Sequence, residues 1–191
     1  SVGTAVGITA FASDVDGSNN TVTYSLSDNA GGLFAIDPNT GEVTVAGSLD
    51  YEAATSHNIE VTATSADGST STQVYSIDIT NINEGPVAQS VDIGSTNEDT
   101  GIVITEAQLL ANSSDVDAGT TLSITSLTLQ DNANGTITDN GNGTWTFNPT
   151  GDLSADDVTF NFTVSDGTLT DSSTATVDIT AVADAPPLTI N

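Results

Sequence analysis

The chain has 191 residues, which suits one large domain or two domains of about 95 residues each. It contains 20 Asp, 6 Glu and one His but no Lys or Arg, so its formal net charge is −26 at pH 7. Proteins that bind nucleic acids or anionic membranes need cationic side chains, and this chain has none. Without Cys or Lys it can form no disulfide, thiolate metal site or Schiff base, and one His leaves little room for a catalytic triad. We therefore expect no nucleic-acid partner and no enzymatic activity.

The apolar residues are patterned for β-strands. Hydrophobic residues make up 36% of the chain and charged residues only 14%, which favours a folded chain over a disordered one. Residues 21–26, 58–64 and 159–164 alternate apolar and polar side chains with period two, as half-buried strands do. Only 105–111 is typical of a short helical turn, with Thr105 as its N-cap. No run of 18 apolar residues occurs, so we predict an all-β chain without a membrane span.

An internal repeat divides the chain. Four motifs of the first half return in the same order about 100 positions later, which predicts two tandem domains. Strands of this length separated by Gly, Asn and Asp turns are typical of seven-stranded Greek-key (Ig-like) β-sandwiches. We place the domains end to end at 1–84 and 85–184, with 185–191 as a linker to a following domain; we expect the first N-terminal strand to be truncated, in a piece of a longer protein. The motif pairs are Ser13–Asp16 with Ser114–Asp117, Ala66–Gly68 with Ser165–Gly167, Ile77–Thr80 with Val177–Thr180, and Asn83–Pro86 with Ala183–Pro186.

Strand direction predicts that acidic side chains gather where the two domains meet. Strands 58–64 and 73–81 would form a hairpin at Asp67, so that turn lies at the pole opposite the junction. Asp166 is the counterpart of Asp67 in the repeat, so its turn is expected at the pole of the second domain that faces the first domain. Asp115 and Asp117 join it there if they end a strand running the same way. The predicted junction set is Asp50, Glu52, Asn81, Asn83 and Glu84 from one side, and Asp115, Asp117 and Asp166 from the other.

Such a cluster needs positive charge from outside the chain. Two carboxylates about 4 Å apart repel by about 4 kcal/mol at an effective dielectric constant of 20, and no Lys or Arg offsets this. Carboxylate and amide oxygens suit Ca²⁺, whereas Mg²⁺ demands a strict octahedron and gives up water reluctantly. The alternative is that Asp and Asn only occupy the turns that they favour. Turn chemistry alone, however, does not require acids to converge on one pole.

The motifs resemble those of the cadherin family. The first domain is similar to a cadherin repeat over nearly its full length, and the second resembles the cadherin-like repeats of large secreted (RTX-type) bacterial adhesins. The first resemblance rests on Ala12–Gly17, Val22–Leu26, Phe34–Asp37, Thr40–Val43, Leu49–Glu52, His57–Val61 and Asn81–Pro86, and the second on Asn97–Thr100, Leu109–Asp117, Ala133–Thr136, Gly143–Phe147 and Phe162–Gly167.

This resemblance implies Ca²⁺ at each domain junction. Asp50 and Glu52 match the family's Leu-Asp-x-Glu, and 81–85 match Asp-x-Asn-Asp-Asn, with Ile82 lending its carbonyl. Three departures occur: Asn81 and Glu84 each replace an Asp, and Gly85 stands where Asn is usual. The family's early Glu, which would also bind at this junction, either falls before residue 1 or has been lost, so we expect two ions rather than three. The implied ligands are Asp50, Glu52, Asn81, Ile82, Asn83, Glu84, Asp115, Asp117 and Asp166 at the junction, Asp14, Asp16 and Asp67 at the N-terminal pole, and Glu98 and Asp184 at the C-terminal pole.

The second domain lacks a clear Leu-Asp-x-Glu motif, for which Asp156 and Asp157 are candidate substitutes.

The resemblance also implies a function. We expect an extracellular, monomeric segment that Ca²⁺ stiffens within a cell-surface adhesin exported by type I secretion and used in biofilms. Its partners would be neighbouring domains of the same chain, with a host-cell or surface ligand bound through other regions. The alternative is a Ca²⁺-dependent carbohydrate- or protein-binding module. His57 and Trp145 are expected to pack rather than to act chemically.

Overall fold

A computed structural model describes residues 1–14, 21–151, 153 and 157–183. The chain forms two compact units, Ser1–Ile82 and Asn83–Asn191, which we call the first and second domains. Among the described residues, no helix has the length and apolar character needed to cross a membrane.

The first domain contains six strands in two antiparallel sheets among its described residues. One sheet has the order β1-β4-β3 and the other β2-β5-β6. The core between them includes Phe34, Val43 and Ile59, each at most 2% exposed. The strands are β1 (Ala5–Thr9), β2 (Val22–Asp28), β3 (Phe34–Ile36), β4 (Glu42–Val45), β5 (Ser56–Ser65) and β6 (Thr70–Asp78).

The second domain has seven strands, one short α-helix and one 3₁₀ turn among its described residues. A three-stranded sheet has the order β10-β11-β8, and a four-stranded sheet the order β7-β13-β12-β9. Strand β7 runs parallel to β13, whereas the other neighbours are antiparallel. The elements are β7 (Val91–Asn97), β8 (Ile102–Thr105), α1 (Glu106–Leu109), β9 (Ser123–Leu129), the 3₁₀ turn Asn132–Asn134, β10 (Gly135–Asp139), β11 (Thr144–Pro149), β12 (Asp157–Ser165) and β13 (Thr170–Thr180).

The predicted alternation is confirmed in β12. Phe160 and Phe162 are fully buried, while Asn161 between them faces outward, because successive strand residues point to opposite faces. Phe160 packs edge-on against Phe147, with ring centroids 5.0 Å apart. Trp145 is 7% exposed and belongs to the same core, so the prediction that it packs is confirmed.

The short helix is also confirmed, with Thr105 as its N-cap. The Thr105 hydroxyl accepts a hydrogen bond from the Gln108 N–H at 3.3 Å, and the Gln108 side chain accepts one from the Thr105 N–H at 2.9 Å. This capping box satisfies two backbone donors that a helix start leaves free.

One prediction about the first domain needs correction. The strand expected over 73–81 is β6, which begins at Thr70 and ends at Asp78, because its partner β5 begins only at Ser56. Beyond that point, the Ile79 N–H still donates to the Thr55 carbonyl at 2.8 Å. The seven-strand expectation is confirmed in the second domain, whereas the described residues of the first form six strands.

Candidate metal centre

The side chains of Asn83 and Asp166 meet at the end of the second domain where its chain begins. The Asn83 side-chain amide donates to Asp166 Oδ2 at 2.7 Å. The other Asp166 oxygen accepts from the Thr168 and Leu169 N–H groups, at 2.6 Å each, in the turn between β12 and β13. These hydrogen bonds, that of Asn83 above all, hold the pKa of Asp166 below its usual value. Asp166 is therefore ionised and fixed in place at neutral pH.

Asp115 and Asp117 reach the same end by a different route from the predicted one. They do not end a strand; they lie in the loop that follows α1. That loop is anchored by an antiparallel bridge, in which Val87 and Ser114 exchange N–H···O bonds of 2.8 and 3.0 Å. Asp117 Oδ2 then accepts from the Glu84 N–H at 2.9 Å. The strand prediction failed because the residues before Asp115 are used in the helix and its exit.

This group brings several carboxylates together, and one of their oxygens is buried. Asp115 Oδ1 accepts the Asp117 N–H at 2.9 Å, but Asp115 Oδ2 is buried without a hydrogen-bond partner among the described residues. One carboxylate oxygen of Glu84 and one of Asp117 lie within 4.8 Å of each other. A buried, unpaired carboxylate oxygen is costly, and the chain contains no Lys or Arg. Carboxylate oxygens gathered in this way fit a divalent cation such as Ca²⁺.

The predicted ligands of the first domain lie at its C-terminal end. Asp50 Oδ1 accepts the Ala53 N–H at 3.0 Å and so closes a turn just before β5. Glu52 lies in that turn and is exposed. The bond from Ile79 to Thr55 places this turn beside the end of β6, which leads into Asn81 and Ile82. Ile82 is 76% exposed.

The opposite end of the first domain holds Asp14 and Asp67. One Asp67 oxygen accepts from the Ser65 hydroxyl and from the Ser69 N–H. The Ser65 bond is the largest cause of a lowered Asp67 pKa. Asp14 lines a groove of about 220 Å³ together with Ser65 and Ser69. The two acids thus share one end, as predicted, while Asp16 lies outside the described residues.

Glu98 lies at the C-terminal end of the second domain. It is 4% exposed, its Oε1 accepts the Val182 N–H at 2.6 Å, and its own N–H donates to the Thr180 carbonyl at 3.1 Å. The backbone groups of Thr180 and Val182 that bind Glu98 lie at or just beyond the end of β13. Glu98 therefore lies at the C-terminal end of the second domain, where we expected it. Asp184, its predicted co-ligand, and Asp156 lie outside the described residues.

Two acidic features of the second domain were not predicted from the sequence. Asp171 Oδ2 accepts the Ala88 N–H at 2.8 Å, which lowers the Asp171 pKa and fixes the chain entering the second domain. Asp157 and Asp178 stand opposite each other on β12 and β13. The hydrogen bond that protonated Asp178 donates to Asp157 is the first cause of a raised Asp178 pKa, and the charge of Asp157 is the second. No sequence signal points to Asp171, and the Asp157–Asp178 pair becomes visible only once the strand register is known.

We expect Asp178→Asn to stabilise the second domain at pH 7. The folded pKa of Asp178 is raised above its unfolded value, so its favourable contribution is present below the unfolded pKa and is lost as pH rises through the folded pKa. At pH 7 the two carboxylates repel, and an amide at 178 removes that repulsion while still donating to Asp157. Urea unfolding in chelator, at pH 7 and near pH 3.5, measures the difference between variant and parent.

The control for this test is Asp131→Asn, which removes one charge at a turn where Asp131 accepts the Ala133 N–H. We expect a higher midpoint for Asp178→Asn than for the control at pH 7, and a smaller difference near pH 3.5. Equal midpoints for the two variants at pH 7 would contradict the prediction.

Two family models match the chain, one in each half. A model of the cadherin domain matches residues 1–80, and a model of the cadherin-like domain matches residues 82–180. The chain belongs to the cadherin family. The cadherin family comprises non-enzymatic adhesion and structural domains that bind Ca²⁺ in general and are found outside cells, which agrees with the prediction that this chain is not an enzyme.

Relatives and solved structures agree with this assignment. Protein dachsous of Drosophila melanogaster is 38% identical over 122 residues, which are 61% of this chain and 3% of dachsous. Human protocadherin beta-1 is 35% identical over 82 residues, which are 41% of this chain and 10% of that protein. The crystal structure of mouse cadherin-23 EC22-24 matches with a TM-score of 0.60 and 24% identity, covering 95% of this chain and 60% of that one.

Human protocadherin-24 EC1-2 matches with the same TM-score, 0.60, at 20% identity, covering 90% of this chain and 85% of that one. At these identities the two structures establish the fold alone. This cadherin chain spans only a small part of the two relatives, and both relatives are animal proteins.

Proposed function

We propose that this chain is a Ca²⁺-binding structural module of a large extracellular adhesin, in which bound ions stiffen the connection between its two cadherin domains. The carrying observation is the buried Asp115 Oδ2, which has no partner among the described residues. Glu84, Asp117 and Asp166 supply further carboxylates at the same end of the second domain. The cadherin family membership supports Ca²⁺ as the cation.

The proposed ligand set draws on both domains. Asn83, Glu84, Asp115, Asp117 and Asp166 come from the second domain, and Asp50, Glu52, Asn81 and the Ile82 carbonyl from the first. Bound Ca²⁺ supplies the positive charge that the chain lacks. Without it, like charges on the two domains repel, so the linker between them is expected to move freely.

The poles away from the junction are proposed to bind Ca²⁺ in the same way. Asp14, Asp16 and Asp67 would serve the N-terminal pole, and Glu98 and Asp184 the C-terminal pole. Glu98 already accepts one backbone N–H through Oε1, so its Oε2 is the oxygen we assign to the ion. Each pole would connect to a neighbouring domain, which makes the chain one segment of a longer rod.

The proposed setting is the surface of a bacterial cell, within an RTX-type adhesin exported by type I secretion and used in biofilms. The resemblance of the second domain to such repeats supports it. The chain itself would act as a monomeric spacer, with other regions binding a host-cell or surface ligand. The alternative, a Ca²⁺-dependent carbohydrate- or protein-binding module, needs an exposed aromatic or apolar groove. Trp145 is 7% exposed, so it does not supply one.

Small-angle X-ray scattering with Ca²⁺ and with chelator tests the stiffening. We expect a longer and narrower particle with Ca²⁺, because shared ions would hold the two domains in one arrangement. Asp117→Asn should weaken this response by removing one proposed ligand charge. The matched control is Asp139→Asn, since Asp139 accepts the Gly141 N–H in the β10–β11 turn and an Asn oxygen accepts it equally well.

Identical scattering profiles with Ca²⁺ and with chelator would overturn the proposal. So would an equal response from Asp117→Asn and Asp139→Asn, because the effect would then come from general charge screening rather than from the named ligands.

A further inference from the structure

Three Asn-Gly pairs lie close together in the second domain. They are Asn134–Gly135, Asn140–Gly141 and Asn142–Gly143, and they fall between the 3₁₀ turn and the start of β11. In such a pair, the backbone nitrogen of Gly can attack the side-chain carbonyl carbon of Asn, because Gly has no side chain to hinder the approach. The sequence gives no reason to separate the three pairs, whereas the structure places each of them in different surroundings.

The peptide group between Asn134 and Gly135 is held by backbone hydrogen bonds. The Asn134 C=O accepts the Thr150 N–H at 3.0 Å, and the Asn134 N–H donates to the Asp131 C=O at 3.2 Å. Gly135 is buried and begins β10, where it pairs with Pro149 of β11. Attack by the Gly135 nitrogen would require this peptide group to rotate and to lose its bond to Thr150. The structure therefore protects Asn134.

The Asn140–Gly141 pair is exposed, but both of its reacting groups are bound. The Gly141 N–H donates to Asp139 Oδ1 at 2.8 Å. A hydrogen bond to a carboxylate favours the protonated amide and so withholds the nucleophile. The Asn140 side-chain amide donates to the hydroxyls of Thr144 and Thr146, at 2.9 and 3.1 Å. These bonds fix the carboxamide, so this pair is protected as well.

The peptide group between Asn142 and Gly143 has no such restraint. Asn142 is exposed, and neither its C=O nor the Gly143 N–H is hydrogen-bonded to the residues that the structure describes. The anchored group of Gly143 is its C=O, which accepts the Glu106 N–H at 2.9 Å. The Thr144 hydroxyl donates to Asn142 Oδ1 at 2.7 Å. A donor at this oxygen stabilises the negative charge that develops on it when the carboxamide carbon is attacked.

We propose that Asn142 is a site of spontaneous deamidation, which the fold selects among the three Asn-Gly pairs and which Thr144 activates. The Gly143 nitrogen loses its proton to solvent and forms a bond to Asn142 Cγ, and ammonia leaves to give a cyclic succinimide. Water then adds to either ring carbonyl and cleaves one ring C–N bond, which yields aspartate or isoaspartate at position 142. The reaction needs no oxidant, reductant or enzyme. The inference does not depend on the proposed Ca²⁺ sites.

The modification changes the turn that joins β10 to β11. Both products add a negative charge to a chain that already carries −26. Isoaspartate also adds a methylene group to the backbone between Asn142 and Gly143. Because loop length and turn geometry set the register of a hairpin, this product alters the one feature of the turn on which strand pairing depends.

The test follows the full chain in mildly alkaline buffer with chelator over several days. The chain contains no Lys or Arg, so chymotrypsin replaces trypsin for digestion. Mass spectrometry locates each replacement of an amide by a carboxylate, and electron-transfer fragmentation separates aspartate from isoaspartate. We expect Asn142 to react about tenfold faster than Asn134 and Asn140, where a hydrogen bond must break first. In guanidinium, where the turns are lost, the three sites should react at comparable rates.

Variants of Asp139 test the protection of Asn140. Asp139→Ala frees the Gly141 N–H, so it should speed the reaction at Asn140 by about tenfold. Asp139→Asn is the matched control, because its side-chain oxygen still accepts the Gly141 N–H and should leave the rate at Asn140 unchanged. Thermal unfolding checks that each variant folds.

Variants of Thr144 test the activation of Asn142. Thr144→Val removes the hydroxyl and should slow the reaction at Asn142 by about threefold or more. Thr144→Ser keeps a hydroxyl and should restore the rate. Thr146→Val is the matched control, since the Thr146 hydroxyl contacts Asn140 and not Asn142.

Three results would overturn the proposal. One is a reaction at Asn134 or Asn140 of the folded chain that is as fast as the reaction at Asn142. Another is an equal rate at Asn142 in Thr144→Val and Thr146→Val. The third is the same ratio of rates in guanidinium as in the folded chain, which would assign the difference to local sequence rather than to the fold.

Discussion

Adding Ca²⁺ to the chelator-treated chain is expected to raise the free energy of unfolding of the second domain. At a free Ca²⁺ concentration about 100 times Kd, each bound ion adds about 2.7 kcal/mol. Two ions would therefore contribute about 5 kcal/mol, which is comparable to the whole stability of a small domain. Trp145 is the sole Trp of the chain and lies in the core of the second domain. Its fluorescence during denaturant unfolding therefore reports on this domain.

Asp115→Asn separates ion binding from general charge effects. The substitution removes charge from a carboxylate that has one buried oxygen without a hydrogen-bond partner among the described residues, so in chelator the variant should be no less stable than the parent. Adding Ca²⁺ should raise the free energy of unfolding of the variant less than that of the parent, because an amide oxygen is a weaker ligand than a carboxylate. The control is Asp139→Asn, because Asp139 lies in the β10–β11 turn and is far from the proposed ligands in the sequence. For this variant, Ca²⁺ should raise the free energy of unfolding as much as it does for the parent. Equal unfolding midpoints of the parent in Ca²⁺ and in chelator would contradict the prediction.

Phe160→Ala is expected to destabilise the second domain by about 3–5 kcal/mol. Phe160 is fully buried at the centre of β12 and packs edge-on against Phe147, so truncation leaves a cavity as well as losing apolar burial. For a domain of this size, the loss corresponds to a fall in Tm of about 12 °C or more. Calorimetry in chelator, with Trp145 fluorescence to identify the transition of the second domain, measures it.

Phe11→Ala is the matched control for this substitution. Phe11 is 90% exposed, and substitutions at such positions usually change stability by no more than about 0.5 kcal/mol. A loss for Phe160→Ala as small as that for Phe11→Ala would mean that this residue is not part of a packed core.

Much of the fold could be predicted because its signals are local. Alternation of apolar and polar residues in 159–164 predicts a strand whatever lies around it, and the structure places that strand within β12. Thr105 and Gln108 form a capping box within four residues, so the start of α1 can also be predicted from the sequence. The hairpin turn at Asp67 and Gly68 likewise depends on local backbone preference: Gly68 has a φ of +90°, which Gly adopts without strain.

The positions of the acids were predictable only in part. The strand directions predicted that Asp166 would face Asn83 of the first domain at the junction. The Asn83 Nδ2 and Asp166 Oδ2 atoms are 2.7 Å apart, but both residues belong to the second domain. The route of Asp115 and Asp117 to that end was predicted wrongly, because it depends on the bridge between Val87 and Ser114. That contact joins residues 27 positions apart, and no short-range pattern encodes it.

By itself, the sequence determined the β-class, the two-domain repeat, the cadherin resemblance and the need for external positive charge, because periodicity, motif order and net charge are properties of the chain alone. Tertiary structure decided which oxygen of Asp115 is buried without a hydrogen-bond partner in the part of the chain that the structure describes, and that Asp157 faces Asp178. Each of these depends on strand register and loop anchoring. Both are set by contacts between residues far apart in the chain, where side-chain packing and backbone pairing outweigh local preference.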